Sequence, residues 1–240
     1  MHLPSESLNG TVCPITATIA LVGISVATYL LIKSDKRPTV LDFALTTLAV
    51  LALQALNYPL PGGFSGHALG ATLAVVLLGL PAGVLSMACV ITIQCLFFAD
   101  GGRLELGANI LNMALLTAVT SGIVLHRSDS LANVFVASSF SVFVAVTAVG
   151  TELLLGSSFG NAPLALISAL MVYHLPIILI EGLITVSILY ALRLWYQQIV
   201  GQSKAWAIAA VTLVLFAMIP FASSSPDALE TVLQEKSQHL

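Results

Sequence analysis

From Thr11 to Ile32 the sequence runs for 22 residues without one charged side chain. As a helix rising about 1.5 Å per residue this run reaches about 33 Å, enough to cross a hydrocarbon core of about 30 Å. In lipid the backbone can satisfy its polar groups only internally, so such a run is a spanning helix. The pattern recurs along the chain, with further spans expected at Thr39–Asn57, His67–Leu80, Pro81–Phe98, Leu106–Leu125, Leu131–Leu155, Pro163–Leu194 and Ala205–Phe221. The fold class is therefore all-α, a polytopic membrane bundle of about eight transmembrane helices, or seven if the last run is not a span. The third run is short for a crossing, and Pro176 in the seventh is expected to kink or break its helix.

Composition excludes other classes. Charged residues are 8% and hydrophobic residues 58% of the 240, against about 25% charged in a soluble domain. The formal charge of −3 and the lack of any cationic cluster longer than Lys33, Lys36 and Arg37 argue against nucleic acid as a partner. No GxxxxGK[ST] is present, so any ATP that drives this protein must be hydrolysed by another polypeptide. HExxH, CxxC and nucleophile–base patterns are absent too, and no enzymatic activity or prosthetic group is expected. Cys13, Cys89 and Cys95 lie inside apolar runs and read as packing thiols, while Met87, Met113 and Met171 read as core fillers.

The cations set an orientation. With the N-terminus extracytoplasmic, Lys33, Lys36, Arg37, Arg127, Arg193 and Lys204 fall inside, and only Arg103 and Lys236 outside. Met1–Gly10, the loop Tyr58–Gly66 and the loop Asp100–Gly107 then share the outer face, and with eight spans so does the tail Ser223–Leu240. The first ten residues hold no Lys or Arg and the following run exceeds a signal-peptide core, so a cleaved leader is not expected.

Within this greasy chain, one of only five histidines stands directly behind Met1. A free Met1 amine, the deprotonated His2 amide and the His2 Nδ1 can chelate one ion through a five- and then a six-membered ring. That puts three nitrogens in a plane. A fourth nitrogen from His67, in the Pro/Gly-rich PLPGGFSGH segment on the same face, completes a square-planar set suited to Ni²⁺ or Cu²⁺ rather than Zn²⁺ or Mg²⁺. Metal entry would release protons from these groups.

The segments MHLP at the start, NYPLPGGFSGHALGATLA at Asn57–Ala74, FFADGGRLELGANILNMA at Phe97–Ala114 and HLPIILIEGLIT at His174–Thr185 resemble the substrate-binding membrane subunit of cobalt and nickel energy-coupling factor (ECF) transporters, the CbiM/NikM family. The resemblance implies a multi-pass protein of a prokaryotic plasma membrane that holds Ni²⁺ or Co²⁺ as cargo through Met1, His2 and His67. It also implies as partners a transmembrane coupling subunit, cytoplasmic ATPases and a small accessory membrane subunit. The tail FASSSPDALE at Phe221–Glu230 is similar to the PDGLE-like segment of that accessory subunit, with Ala228 in place of the glycine. Residues 1–222 then form the transmembrane metal-binding domain, and 205–240 a fused partner-like helix and tail.

Asp100, Asn109 and Asn112 belong to the family-like segments and are expected to pack or hydrogen-bond near the site, orienting its ligands. His174 and Glu181 stand seven apart on one helical face; helix–helix hydrogen bonding, an orienting or gating role, and no special role all stay open for them. The rival to an ATP-driven importer is a stand-alone secondary carrier or channel for divalent ions. That would want ionisable residues along a midplane path, of which the chain offers little beyond this pair.

Overall fold

A computed structural model describes residues 1–156, 164–198 and 204–237. Helix α1 (Val12–Lys33) is followed by α2 (Val40–Ala55), a short antiparallel hairpin of β1 (Tyr58–Leu60) and β2 (Phe64–Gly66), then α3 (Ala71–Leu78) and α4 (Leu80–Phe97). Next come α5 (Leu106–Ile110), which continues through a π-helical segment (Leu111–Leu116) into α6 (Thr117–Leu125), and α7 (Leu131–Gly156) and α8 (Leu164–Gln198). The chain closes with α9 (Lys204–Met218), a 3₁₀ turn (Ile219–Phe221) and α10 (Ala228–Ser237). Among the described residues, six helical segments are long and apolar enough to cross a membrane: Val12–Lys33, Leu80–Phe97, Leu106–Leu125, Leu131–Gly156, Leu166–Trp195 and Lys204–Phe221, with Val40–Ala55 a shorter seventh. The chain is a multi-pass membrane protein.

The third expected run behaves differently from a full span. Its helix starts at Ala71, not His67, and its eight residues reach only about 12 Å. The buried non-helical stretch His67–Gly70 supplies the rest of the depth. Non-helical backbone at such depth is tolerated only where protein covers it, and that condition is met by α8, as described below. Gly79, at φ +82°, ends α3 and starts α4, a left-handed position that L side chains avoid. Pro176 does not break its helix: α8 continues through it. The expected start of that span at Pro163 lies outside the described residues.

Alternating helices bring the N-termini of α2, α4, α7 and α9 to one end of the bundle. There Lys204 Nζ donates to the Leu77 carbonyl at 3.1 Å and pairs with Asp42 at 3.7 Å, while Arg193 pairs with Asp129 at 3.0 Å. Met1–Gly10, the hairpin and α10 gather at the other end. The core between them is built on Met87, Ile91, Met113, Leu153 and Leu170, all fully buried, and Met1, Leu3 and Leu8 of the leading segment join the same cluster. An N-terminal segment packed into a core is held by tertiary contacts rather than by any propensity of its own.

Candidate metal centre

The leading decapeptide is threaded into the end of the bundle that carries the hairpin and α10. Met1 and His2 are 4% exposed and Leu3 is fully buried. Asn109, on α5, clamps Leu3 from both sides: its Oδ1 accepts the Leu3 N–H at 2.8 Å and its Nδ2 donates to the Leu3 carbonyl at 3.2 Å. The Gly102 N–H donates to that carbonyl at 2.8 Å, the Leu8 N–H reaches Glu105 Oε1 at 3.5 Å, and the Asn9 N–H reaches the Gly156 carbonyl at 2.7 Å. The extended peptide thus borrows its hydrogen bonds from three other elements, as a buried backbone must.

This threading delivers the Met1 nitrogen to His67. The two nitrogens, Met1 N and His67 Nε2, are 3.0 Å apart. His67 Nδ1 lies 3.4 Å from the Ala68 carbonyl, and the tautomer that donates there leaves Nε2 free to accept. At a metal–nitrogen distance of about 2.0 Å, cis donors in a square plane stand about 2.8 Å apart, so the observed separation suits two neighbouring ligands of one ion. The His2 and His67 rings are stacked, with centroids 5.7 Å apart and planes 22° from parallel. His2 Nδ1 faces Asp100 Oδ1 at 3.2 Å, and its Nε2 is buried.

Burial pushes the His2 imidazole below its ordinary value despite the neighbouring Asp100 carboxylate, which raises it. The His2 ring is therefore neutral near pH 7, the form that binds metals. Among the described residues no group of three His, Cys, Asp or Glu side chains could hold a metal; the nitrogens gathered here include the amino terminus and backbone as well as side chains.

Glu181, deep in α8, grips the stretch below His67. Its Oε2 accepts the Leu69 N–H at 2.7 Å and its Oε1 the Gly70 N–H at 3.0 Å, while Gln54 Nε2 donates to the Leu69 carbonyl at 2.7 Å. Gly70 stands at φ +77°, and a Cβ there would meet Val50 Cγ1 at 3.2 Å. His174 shares the helix but bonds locally, its Nδ1 donating to the Leu170 carbonyl of its own helix at 2.8 Å and its Nε2 without a partner among the described residues. Asn112, in the π-helical segment, donates to Glu152 Oε2 at 2.7 Å. Of the residues singled out in the sequence, Met1, His2, His67, Asp100 and Asn109 meet at one place, Glu181 acts on the segment beside it, and Asn112 and His174 bond elsewhere.

Two residues at the site escape sequence reasoning. Glu105, fully buried, underlies the leading segment. Asp227, 226 residues from Met1, accepts a bond from the Met1 nitrogen through Oδ2 at 2.5 Å. Burial alone would raise its carboxyl, but the Met1 ammonium and His67 outweigh this and hold it below the usual carboxylate range. Within the PDGLE-like tail, the D-x-x-E of PDALE reads locally as a helix cap.

Comparison with known proteins agrees with this architecture. Residues 2–199 match the model of the family described as the cobalt uptake substrate-specific transmembrane region, CbiM. A putative fused nickel transport protein NikMN of Archaeoglobus fulgidus is 32% identical over 217 residues, covering 89% of this chain and 72% of that protein. A cobalt transport protein CbiM of Sorangium cellulosum is 30% identical over 210 residues, covering 80% of this chain and 91% of that one. A crystal structure of a truncated transition metal transporter superposes with a TM-score of 0.69 at 28% identity, covering 80% of this chain and 98% of that one. The chain belongs to the CbiM family of cobalt and nickel transport proteins.

Proposed function

We propose that this protein captures Ni²⁺ or Co²⁺ in a square-planar nitrogen site made of the Met1 amine, the His2 amide and Nδ1, and His67 Nε2, and delivers it inward as the specificity subunit of an ATP-driven ECF importer. The observation that carries the site is the 3.0 Å approach of the Met1 nitrogen to His67 Nε2, beside the second buried imidazole. To close the chelate, His2 Nδ1 exchanges Asp100 for the ion. The names of the relatives support nickel or cobalt as cargo, and square-planar nitrogen coordination suits both Ni²⁺ and low-spin Co²⁺.

The cation distribution supports an extracytoplasmic metal face, since six of the eight Lys and Arg lie in helix ends and connections at the opposite end. A coupling membrane subunit, two cytoplasmic ATPases and a small accessory subunit complete the importer, and the last helix with its tail stands in for part of the accessory one. Glu181 is occupied in binding two backbone N–H groups, which removes the best candidate for the midplane path of a self-sufficient carrier.

The test is a competitive titration of Ni²⁺ and Co²⁺ into protein whose free Met1 amine has been verified by intact mass, alongside His67→Ala and a variant with one residue added before Met1. Both variants should lose binding, and an extended protein that binds like the native one would eliminate the amine as a ligand. Uptake measured with and without the ATPases decides the transport class, because a carrier works without them.

A further inference from the structure

Asp227 lies beyond the membrane-spanning helices, at the N-terminus of α10. Its Oδ2 nevertheless accepts from the Met1 nitrogen at 2.5 Å, the same nitrogen that stands 3.0 Å from His67 Nε2. Its other oxygen, Oδ1, accepts the Glu230 N–H at 2.8 Å, while Glu230 Oε2 accepts the Asp227 N–H at 3.0 Å. This reciprocal capping box fixes the carboxylate's direction.

The tail is fastened in turn to the hairpin. The Ser65 N–H donates to the Pro226 carbonyl at 2.8 Å, Ser65 Oγ donates to the Ser225 carbonyl at 2.7 Å, and the Ser223 N–H donates to the Asn57 carbonyl at 2.7 Å. Ser65 is two residues before His67. One strand of the hairpin therefore fixes both the imidazole and the carboxylate that meet the Met1 nitrogen.

Charge counting gives this contact a purpose. Without cargo, the Met1 ammonium and Asp227 sum to zero. With a divalent ion on the amine, the deprotonated His2 amide and two neutral imidazoles, ion and amide sum to +1, and the same carboxylate again brings the total to zero. An uncompensated charge in a buried site is costly, and Asp227 prevents one in both states. Asp100, which pairs with His2 from a position that is half exposed, is less shielded from water and compensates a buried charge less well.

We infer that Asp227 is the positioning residue and counter-charge of the metal site, so that the tail from Phe221 to Ser237 is a working part of ion capture. The inference rests on the metal-site reading above.

Two substitutions in the full-length protein separate charge from capping. Asp227→Asn keeps a side chain as good at a helix N-cap as Asp but removes the charge; Asp227→Glu keeps the charge and spoils the cap. Calorimetric titration with Ni²⁺ alone, and separately with Co²⁺ alone, should show D227N weakened about 10- to 100-fold, the range for losing a group that orients a metal ligand, with D227E closer to native and both variants native in helical circular dichroism. The reverse order, or D227N within twofold of native, overturns the inference. His67→Ala in the same series distinguishes the two failures. If H67A loses binding while D227N keeps it, Asp227 alone is misassigned; if H67A binds as the native protein does, the site falls and the inference with it.

Discussion

Replacing Glu181 by Gln tests how the stretch His67–Gly70 is held, independently of any metal. The native carboxylate offers one oxygen to each of two adjacent backbone N–H groups, Leu69 at 2.7 Å and Gly70 at 3.0 Å, on a side chain 1% exposed. A Gln amide can accept one of these and turns its own N–H₂ toward the other. One hydrogen bond to a charged group is lost, about 1.5–3 kcal/mol, and one buried donor is left unmatched, about 1–3 kcal/mol. The loss of stability should be roughly 2.5–6 kcal/mol, because no water from the bilayer can fill in. His67 is two residues ahead of Leu69, so if about 1.4 kcal/mol of that loss falls on holding its segment in place, ion affinity drops about tenfold. Thermal unfolding of purified protein in detergent, followed by tryptophan fluorescence, and Ni²⁺ titration of the same sample give the two readings. A variant that melts within about a degree of native and binds Ni²⁺ unchanged refutes the assignment of Glu181 as the anchor of this stretch.

Other perturbations act on the same framework. Gly70→Ala places a side chain in a left-handed conformation at 3.2 Å from Val50 and should cost about 1–2 kcal/mol, read as a lowered melting temperature. Asn109→Ala removes both bonds to Leu3 and should leave the bundle folded while exposing the leading segment to aminopeptidase digestion; continued resistance would show that the clamp is dispensable. In the metal-free protein, acid should destabilise the fold. His2 titrates below the ordinary 6.5 when folded, so the unfolded chain takes up its proton first and stability falls as pH drops below about 6.5 toward the lowered folded value. Asp227, depressed from 3.8, adds a further loss below about pH 4. A melting temperature flat from about pH 8 to about pH 4 would contradict the burial of a neutral His2 imidazole.

The spanning helices were legible because a bilayer imposes a length and a polarity on every crossing, and runs such as Leu106–Leu125 and Leu131–Leu155 satisfy both without ambiguity. The third run misled by four residues for the same reason: hydropathy registers that His67–Gly70 is buried but not that its backbone is satisfied by Glu181 and Gln54 instead of by a helix. In the same way, a spacing of seven puts His174 and Glu181 on one helical face, but spacing says nothing of reach. Glu181 bonds across to Leu69 and Gly70, while His174 bonds to the Leu170 carbonyl of its own helix.

What local sequence cannot carry is the meeting of its two ends. Asp227 in PDALE obeys a local rule, the capping box, and that rule uses only one of its oxygens. The other oxygen is left for whatever the fold brings near, and the fold brings the Met1 nitrogen because both ends dock on one hairpin: the leading segment beside His67, the tail on Ser65. Tyr58–Gly70 is thus the piece on which the others depend. It is short, poor in charge and anchored from below by Glu181, so a disturbance anywhere along it should reach the amine, the imidazole and the carboxylate together. Separate defects in these three groups would speak against a hairpin that holds them as one unit.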